Sequence, residues 1–329
     1  MDCLRCAARL PDASPLGVSR AVPAGARPCD RGGGRLCCAL QLPRGDGGGR
    51  DGLETHGNGG TRVTDSAPGA LILGASSGFG EAAALAFAEA GYDIYGVHLD
   101  RRAGLAHVGE IRELIEAHGR RASFFNVNAA SAKKRDRVLD EIAENAAPGS
   151  VRVLLHSLAF GTLRPFVPGG APGMSPEQMN MTLDVMAHTL VYWTQGLLER
   201  DLMGEGGRIF AMTSSGGDRV IPSYGAVSAA KAALESHCRQ LALELATKGI
   251  TVNAIRAGVT DTPALRKIPG AEHMIAEAAA QNPHGRLGTP EDVARCMVAL
   301  ARPETGWMTG NTIRVDGGED FVGSRPPGD

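Results

Sequence analysis

Aromatic residues are scarce in this 329-residue chain: Phe, Tyr and Trp make up 4% of it, and none occurs before Phe79. Lysine is absent from residues 1–67, which hold nine Arg, 13 Gly and 5 Pro. A stretch so poor in apolar bulk cannot offset the entropy of ordering its backbone. Residues 1–67 are therefore expected to be a disordered extension, or one foreign to the natural protein. They lack the apolar core of a secretory signal, and Asp2, Asp12, Asp30, Asp46, Asp51, Glu54 and Asp65 speak against a transit peptide. No run anywhere approaches the ~18 apolar residues of a membrane span. With 34 Lys+Arg against 36 Asp+Glu, the net charge of −2 excludes a nucleic-acid binder held by bulk charge.

Cysteine is nearly missing from the rest of the chain. Five of the seven (Cys3, Cys6, Cys29, Cys37 and Cys38) fall in the first 38 residues. Cys3 and Cys6 have no second spaced pair, and adjacent Cys37 and Cys38 fit tetrahedral ligation poorly, so no metal site is expected. Cys238 and Cys296 lie in helical segments and are expected as buried thiols. A chain with so few thiols outside its leader suits the reducing cytoplasm.

What is present begins near Pro68. Short apolar runs at 70–73, 93–99, 123–127, 151–155, 208–212, 251–255 and 312–315 alternate with helical segments, the longest at 176–202 and 223–248. This alternation predicts one α/β domain over 68–329. Its fold is a Rossmann-type doubly wound parallel sheet, seven strands flanked by helices on both faces.

Directly after the first strand, Gly74-Ala75-Ser76-Ser77-Gly78-Phe79-Gly80 has a G-x3-G-x-G spacing. Glycine is needed where a backbone turns sharply and a pyrophosphate must approach main-chain amides at a helix N-terminus. Ser76 and Ser77 add hydroxyls. Alone, such a turn reads equally as ordinary strand-to-helix packing; its place at the start of the domain points to a dinucleotide. The second strand should end beside the adenosine ribose, where an acid favours NAD and a base the NADP phosphate. Asp100 offers the first, Arg101 and Arg102 the second, and NADPH is expected over NADH. Asn126 and Val127, ending the third strand, would flank the adenine.

Tyr224 and Lys231 are seven residues apart, two turns along one helix face. A tyrosine near an ammonium and a ribose becomes a better proton donor and oxyanion stabiliser. Ser214, ending the fifth strand, could share the substrate oxygen. Taken alone, the pair reads as readily as a core aromatic and a surface charge. The glycine turn and the strand-end serine tip the reading to catalysis.

Together with the ending Gly310-Asn311-Thr312-Ile313-Arg314-Val315-Asp316-Gly317-Gly318, these motifs resemble the short-chain dehydrogenase/reductase superfamily over about 68–322. Most of that superfamily has Tyr-x3-Lys, but Val227 stands where that tyrosine would be. Tyr-x6-Lys resembles instead the enoyl-acyl-carrier-protein reductase branch. The same branch is suggested by His156-Ser157-Leu158-Ala159, Gly161-Thr162-Leu163-Arg164-Pro165, Asp261-Thr262-Pro263-Ala264-Leu265 and Gln281-Asn282-Pro283-His284-Gly285-Arg286. Met186 replaces the helical asparagine that ordinary members use for a proton relay. Two departures stand out: Leu73 replaces a common threonine, and Ser214 occupies the place of a second tyrosine.

The resemblance implies reduction of the 2,3 double bond of an enoyl thioester, as in fatty-acid synthesis, on acyl carrier protein or coenzyme A. It implies cofactor contacts from Ser157, Ala159, Thr260 and Thr262, a substrate lid around 263–287 with Met274 and Ile275, and a homotetramer. A 3-oxoacyl or carbonyl reductase with a shifted tyrosine, and a non-catalytic dinucleotide-binding scaffold or redox sensor, are the alternatives.

Overall fold

Continuous aliphatic runs such as Gly69–Leu73 have no polar face, so they need helices over both sides of their sheet. The computed structural model describes residues 67–170 and 172–322. The expectations for residues 1–66, with their five cysteines, lie outside the described residues. In chain order, β1 (Gly69–Leu73) leads to α1 (Gly78–Glu89), β2 (Asp93–His98) to α2 (Leu105–Ala117), and β3 (Ala122–Asn126) to α3 (Ala132–Asn145). Next come β4 (Val151–His156), α4 (Pro176–Leu183), a π-helical turn (Asp184–His188) and α5 (Thr189–Glu199). The rest is β5 (Arg208–Ser214), α6 (Gly225–Leu245), β6 (Thr251–Ala257), α7 (Ala271–Gln281), α8 (Pro290–Leu300) and β7 (Thr312–Val315).

The strands form one sheet in the order β3-β2-β1-β4-β5-β6-β7, all pairs parallel. This is the doubly wound arrangement expected from the sequence. The order reverses between β1 and β4, which opens a crevice at the strands' carboxyl ends. Side chains alternate across the sheet. On β1, Leu71 and Leu73 join the core beneath α3, α5 and α6, whose anchors include Leu139, Trp193 and Leu241. Ala70 and Ile72 join the opposite core under α1, α2 and α8, with Phe87, Ile111 and Met297.

Both long helices differ from expectation at defined points. The segment 176–202 starts at a capping box, where Ser175 accepts from the Gln178 amide and Gln178 from the Ser175 amide. It is not continuous, because one turn widens at Asp184–His188. There the Thr189 hydroxyl donates to the Val185 carbonyl at 2.8 Å and is also paired with His156 at 2.8 Å. Such insertions collect at functional sites, and this one seats Met186 and Ala187 in the interior. The segment 223–248 yields α6, which closes through a 3-10 turn on Gly249 at φ 68°.

Candidate active site

The glycine turn is shaped by close approach. Gly74 has φ +92°, and a Cβ there would lie 2.5 Å from the Ser157 carbonyl oxygen. A Cβ on Gly80 would lie 1.9 Å from the Gly74 oxygen, so α1 can begin against the end of β1 only without a side chain. Ser77 precedes α1 in extended backbone and caps no amide through its hydroxyl. The first-turn amides of α1 thus remain available to phosphate oxygens.

Beyond the turn, a cavity of about 460 Å³ opens over the ends of the central strands. Its lining includes Gly74, Ser76, Ser77, Gly78 and Phe79 from the turn, Val127 after β3, and Ser157 and Ala159 after β4. Ser214, Tyr224, Lys231, Thr260 and Thr262 complete the expected set. Gly80, Asp100, Arg101 and Asn126 do not line it. Gly80 serves packing. The Asn126 side chain is occupied with the backbone of Asp100, accepting from its amide at 3.1 Å and donating to its carbonyl at 3.0 Å. Asp100 turns its carboxylate to His98 Nδ1 at 2.9 Å, and Arg101 is exposed. His98 does line the cavity, and the sequence reading passed over it for the more obvious charges beside it.

Tyr224, Ser214 and Lys231 meet at one end of this space. Lys231 is fully enclosed, and its Nζ donates to the Met212 carbonyl at 2.7 Å. Burial pulls its ammonium down to about 8, against the opposing influence of Glu235 and Cys238. Two ammonium protons stay free for a ribose hydroxyl. The Tyr224 phenol is raised by burial and lowered by the Ser214 hydroxyl, so it remains a protonated donor at neutral pH. The expected help from an ammonium is replaced here by Ser214, because Lys231 is turned toward Met212. Ser214 Oγ is buried beside the Tyr224 phenol but makes no hydrogen bond of ordinary length and angle, which leaves both hydroxyls available to a ligand.

Gly216 packs against the Tyr224 ring and the Ser214 side chain. A Cβ there would meet Tyr224 Cε1 at 2.5 Å and Ser214 Oγ at 3.3 Å. Gly216→Ala must therefore displace the tyrosine ring, and about a tenfold loss of kcat is expected with cofactor affinity retained. Steady-state kinetics beside a nucleotide titration checks this.

His156, ending β4, is fully buried and is lowered to about 3 by burial and then by Lys231. Thr189 donates its proton to Val185, so His156 Nε2 must be the donor in their 2.8 Å bond, and its Nδ1 is left buried without a partner. The folded protein thus holds this imidazole neutral, while the unfolded chain takes up its proton below the ordinary 6.5. The stability this contributes is present above about pH 6.5 and is lost as pH falls towards about 3. His156→Asn should flatten the acid limb of a urea-midpoint versus pH curve.

Other titratable groups here are inert or structural. Burial pushes the Cys238 thiol up to about 12, which excludes it as a nucleophile, and Cys296 is half-buried. His237, to which the sequence assigns no role, pairs with His188 at 3.0 Å. Among the described residues, no group of three or more His, Cys, Asp or Glu could hold a metal ion.

The wall beside Tyr224 is apolar. A Cβ on Gly161 would lie 2.9 Å from both Met186 Sδ and Val227 Cγ2, so these two side chains close over the same point. Ile221 and Ile268 pack against the Tyr224 cluster. In the 263–287 segment Pro263, Leu265, Ile268 and Met274 face the cavity, whereas Ile275 is not among its lining residues. Sequence reasoning also missed a brace behind the site. Arg256 of β6 holds Asp218 at 2.8 Å and Asp320 at 2.8 Å, and the Glu319 carboxylate accepts from the Val259 amide at 2.9 Å. These partners come together only through the C-terminal turn, and spacing gave no signal of them.

Residues 74–319 match the protein-family model described as Enoyl-(Acyl carrier protein) reductase. The chain is 33% identical over 196 residues to the enoyl-[acyl-carrier-protein] reductase [NADH] of Aquifex aeolicus, covering 58% of this chain and 72% of that protein. It is 32% identical over 257 residues to an NADPH-dependent aldehyde reductase-like chloroplastic protein of Arabidopsis thaliana, covering 76% and 93% respectively. The crystal structure of the Aquifex aeolicus enoyl reductase matches with a TM-score of 0.67 at 27% identity, covering 78% of this chain and 98% of that one.

Proposed function

The chain belongs to the enoyl-(acyl carrier protein) reductase family of short-chain dehydrogenases/reductases and is a nicotinamide-dependent oxidoreductase; on that premise we propose that it saturates the 2,3 double bond of an enoyl thioester. The observation that carries this reading is the asymmetry of the cavity. Two hydroxyls, Tyr224 and Ser214, stand on one side, and Met186 and Val227 close the neighbouring wall without a polar atom. Conjugate reduction needs an oxyanion to be held at the thioester oxygen and an apolar surface along the acyl chain. It does not need the proton relay by which a ketone reductase delivers a proton to its product's alkoxide oxygen.

The glycine turn would seat the pyrophosphate on the α1 amides, with Thr260 and Thr262 at the nicotinamide end and NADPH favoured over NADH. Held there, a reduced nicotinamide would be the source of the hydride that the β-carbon requires. Tyr224 donates to the enolate oxygen that forms, and Ser214 shares it. Such donors are aimed at charge that develops only in the transition state, which is where binding accelerates chemistry. Lys231 holds the ribose and keeps the local field positive. The α-carbon then takes a proton from water, completing the saturated thioester. Residues 263–287 act as the substrate lid, and the enzyme works as a homo-oligomer on acyl carrier protein or coenzyme A thioesters.

Following nicotinamide oxidation with crotonyl and acetoacetyl thioesters tests the reading. Oxidation with crotonyl substrate is expected. Oxidation with acetoacetyl substrate alone would make the enzyme a 3-oxoacyl reductase, and oxidation with neither would favour a binding scaffold.

A further inference from the structure

We propose that the opposite end of the sheet holds a second ligand site, in which Arg152 and Arg208 take the phosphoryl group of a small phosphorylated molecule. The site lies at the amino ends of β4 and β5, whereas the cofactor crevice opens at the strands' carboxyl ends. The proposal therefore goes beyond the dinucleotide reading and does not rest on it. A cavity of about 500 Å³ opens at this end, lined by Arg152, Arg208, Tyr92 and Ser150, with Pro68 and Pro303 as apolar neighbours.

Arg208 opens β5 and is only 4% exposed. Its Nη1 donates to the Gly207 carbonyl at 3.1 Å and its Nη2 to the Arg302 carbonyl at 3.2 Å. Its Nε is buried without a hydrogen-bond partner among the described residues. A guanidinium has more N–H donors than two carbonyls can use, and neither carbonyl balances its charge. Burial pulls this guanidinium below its ordinary 12.5; the Tyr92 phenol opposes that pull and the Arg152 charge adds to it. Among the described residues no carboxylate pairs with it. A charge so placed is costly unless it is paired.

Arg152, near the start of β4, is exposed and reaches over the turn that precedes β5. Its Nη1 donates to the Glu205 carbonyl. A Cβ on Gly206 would lie 3.1 Å from the same nitrogen, so this glycine, at φ +81°, leaves the guanidinium its room. Arg152 too has no carboxylate paired with it among the described residues. Both guanidiniums act on the Tyr92 phenol, which burial raises and they lower, so its hydroxyl is a protonated donor beside them.

Two like charges on one cavity repel each other, and an anion between them removes that cost. A phosphomonoester carries about −1.5 to −2 at pH 7 and nearly balances two guanidiniums, whereas a carboxylate balances one. The planar fork of arginine also fits phosphate oxygens two at a time. The Tyr92 and Ser150 hydroxyls can serve the oxygen that remains. The cavity is roomier than a phosphate ion needs, and Pro68 and Pro303 offer apolar surface to a carbon skeleton. The alternative is that Arg208 only ties β5 to the turn at Arg302. On that account its loss lowers stability, and anions have no effect.

Calorimetric titration of the full chain with inorganic phosphate, phenyl phosphate and benzoate tests the site. NADPH is kept in excess, so that phosphate cannot report from the glycine turn. Phenyl phosphate should bind at a single site, with benzoate about tenfold weaker or more. Phenyl phosphate tighter than inorganic phosphate assigns the site to an organic phosphomonoester, and equal affinities assign it to free phosphate. Arg152→Gln should weaken phenyl phosphate about tenfold and Arg208→Gln at least as much, with NADPH affinity unchanged in both. Arg152 is exposed, so its variant decides the matter even if Arg208→Gln fails to fold. A wild type that binds neither phosphate, benzoate bound as tightly as phenyl phosphate, or phosphate affinity unchanged in Arg152→Gln overturns the proposal.

Discussion

Tyr224→Phe is expected to lower kcat by ~10²–10³ while cofactor affinity stays near that of the wild type. The substitution removes only the phenolic oxygen. The ring keeps its place in the cluster with Met186, Val227 and Ala230, against which Ile221 and Ile268 pack, so the fold should be undisturbed. What is lost is the donor that meets charge at the thioester oxygen. Ser214 alone would then face the enolate, and its hydroxyl can replace only part of that stabilisation. Because the lost interaction forms chiefly in the transition state, kcat and kcat/KM should fall together. Stopped-flow hydride transfer with the enoyl substrate, beside a nucleotide titration, checks both halves. An unchanged rate would remove Tyr224 from the chemistry.

Lys231→Met is expected to stabilise the protein and to disable it. The ammonium is wholly buried, and its only hydrogen-bond acceptor among the described residues is the Met212 carbonyl. Its lowering to about 8 means that the unfolded chain holds a proton that the folded one releases between about 8 and the ordinary 10.5. Stability therefore rises with pH across that window, and below it the folded state carries the full burden of a buried charge. Methionine fills similar space without that charge. A gain on the order of 1–3 kcal/mol is expected near neutral pH, even with the Met212 carbonyl left without its donor. The difference from the wild type should shrink as pH approaches 10.5. Turnover and nucleotide affinity should fall because the ribose loses its cation. Urea unfolding at two pH values and a binding titration together distinguish this from a merely structural lysine, whose removal would lower stability.

The sheet was legible because its strands are short runs rich in apolar residues between helical segments, and each lies within two residues of the stretch that hydrophobicity marks. The cofactor turn was legible because its glycines answer local demands: a positive φ at Gly74 and a close backbone approach at Gly80. Tyr224 and Lys231 could be paired because seven residues bring them to one side of α6. His98 was not legible. Val97, His98 and Leu99 all line the cavity, so strand alternation gives no rule that singles out His98, and the charged residues beside it carry the more obvious signal. The π-helical turn was hidden too, since it depends on Thr189 meeting His156 from another strand. The Arg256 brace depends on Asp218, 38 residues before it, and on Asp320 in the C-terminal turn.

The most direct test of conjugate reduction is product analysis by mass spectrometry, after reaction of a mixed 2-enoyl and 3-oxoacyl thioester pool with nicotinamide deuterated at its transferable position. Saturated acyl thioester carrying one deuterium at the β-carbon is the predicted product. A 3-hydroxyacyl thioester as the sole deuterated product would contradict it.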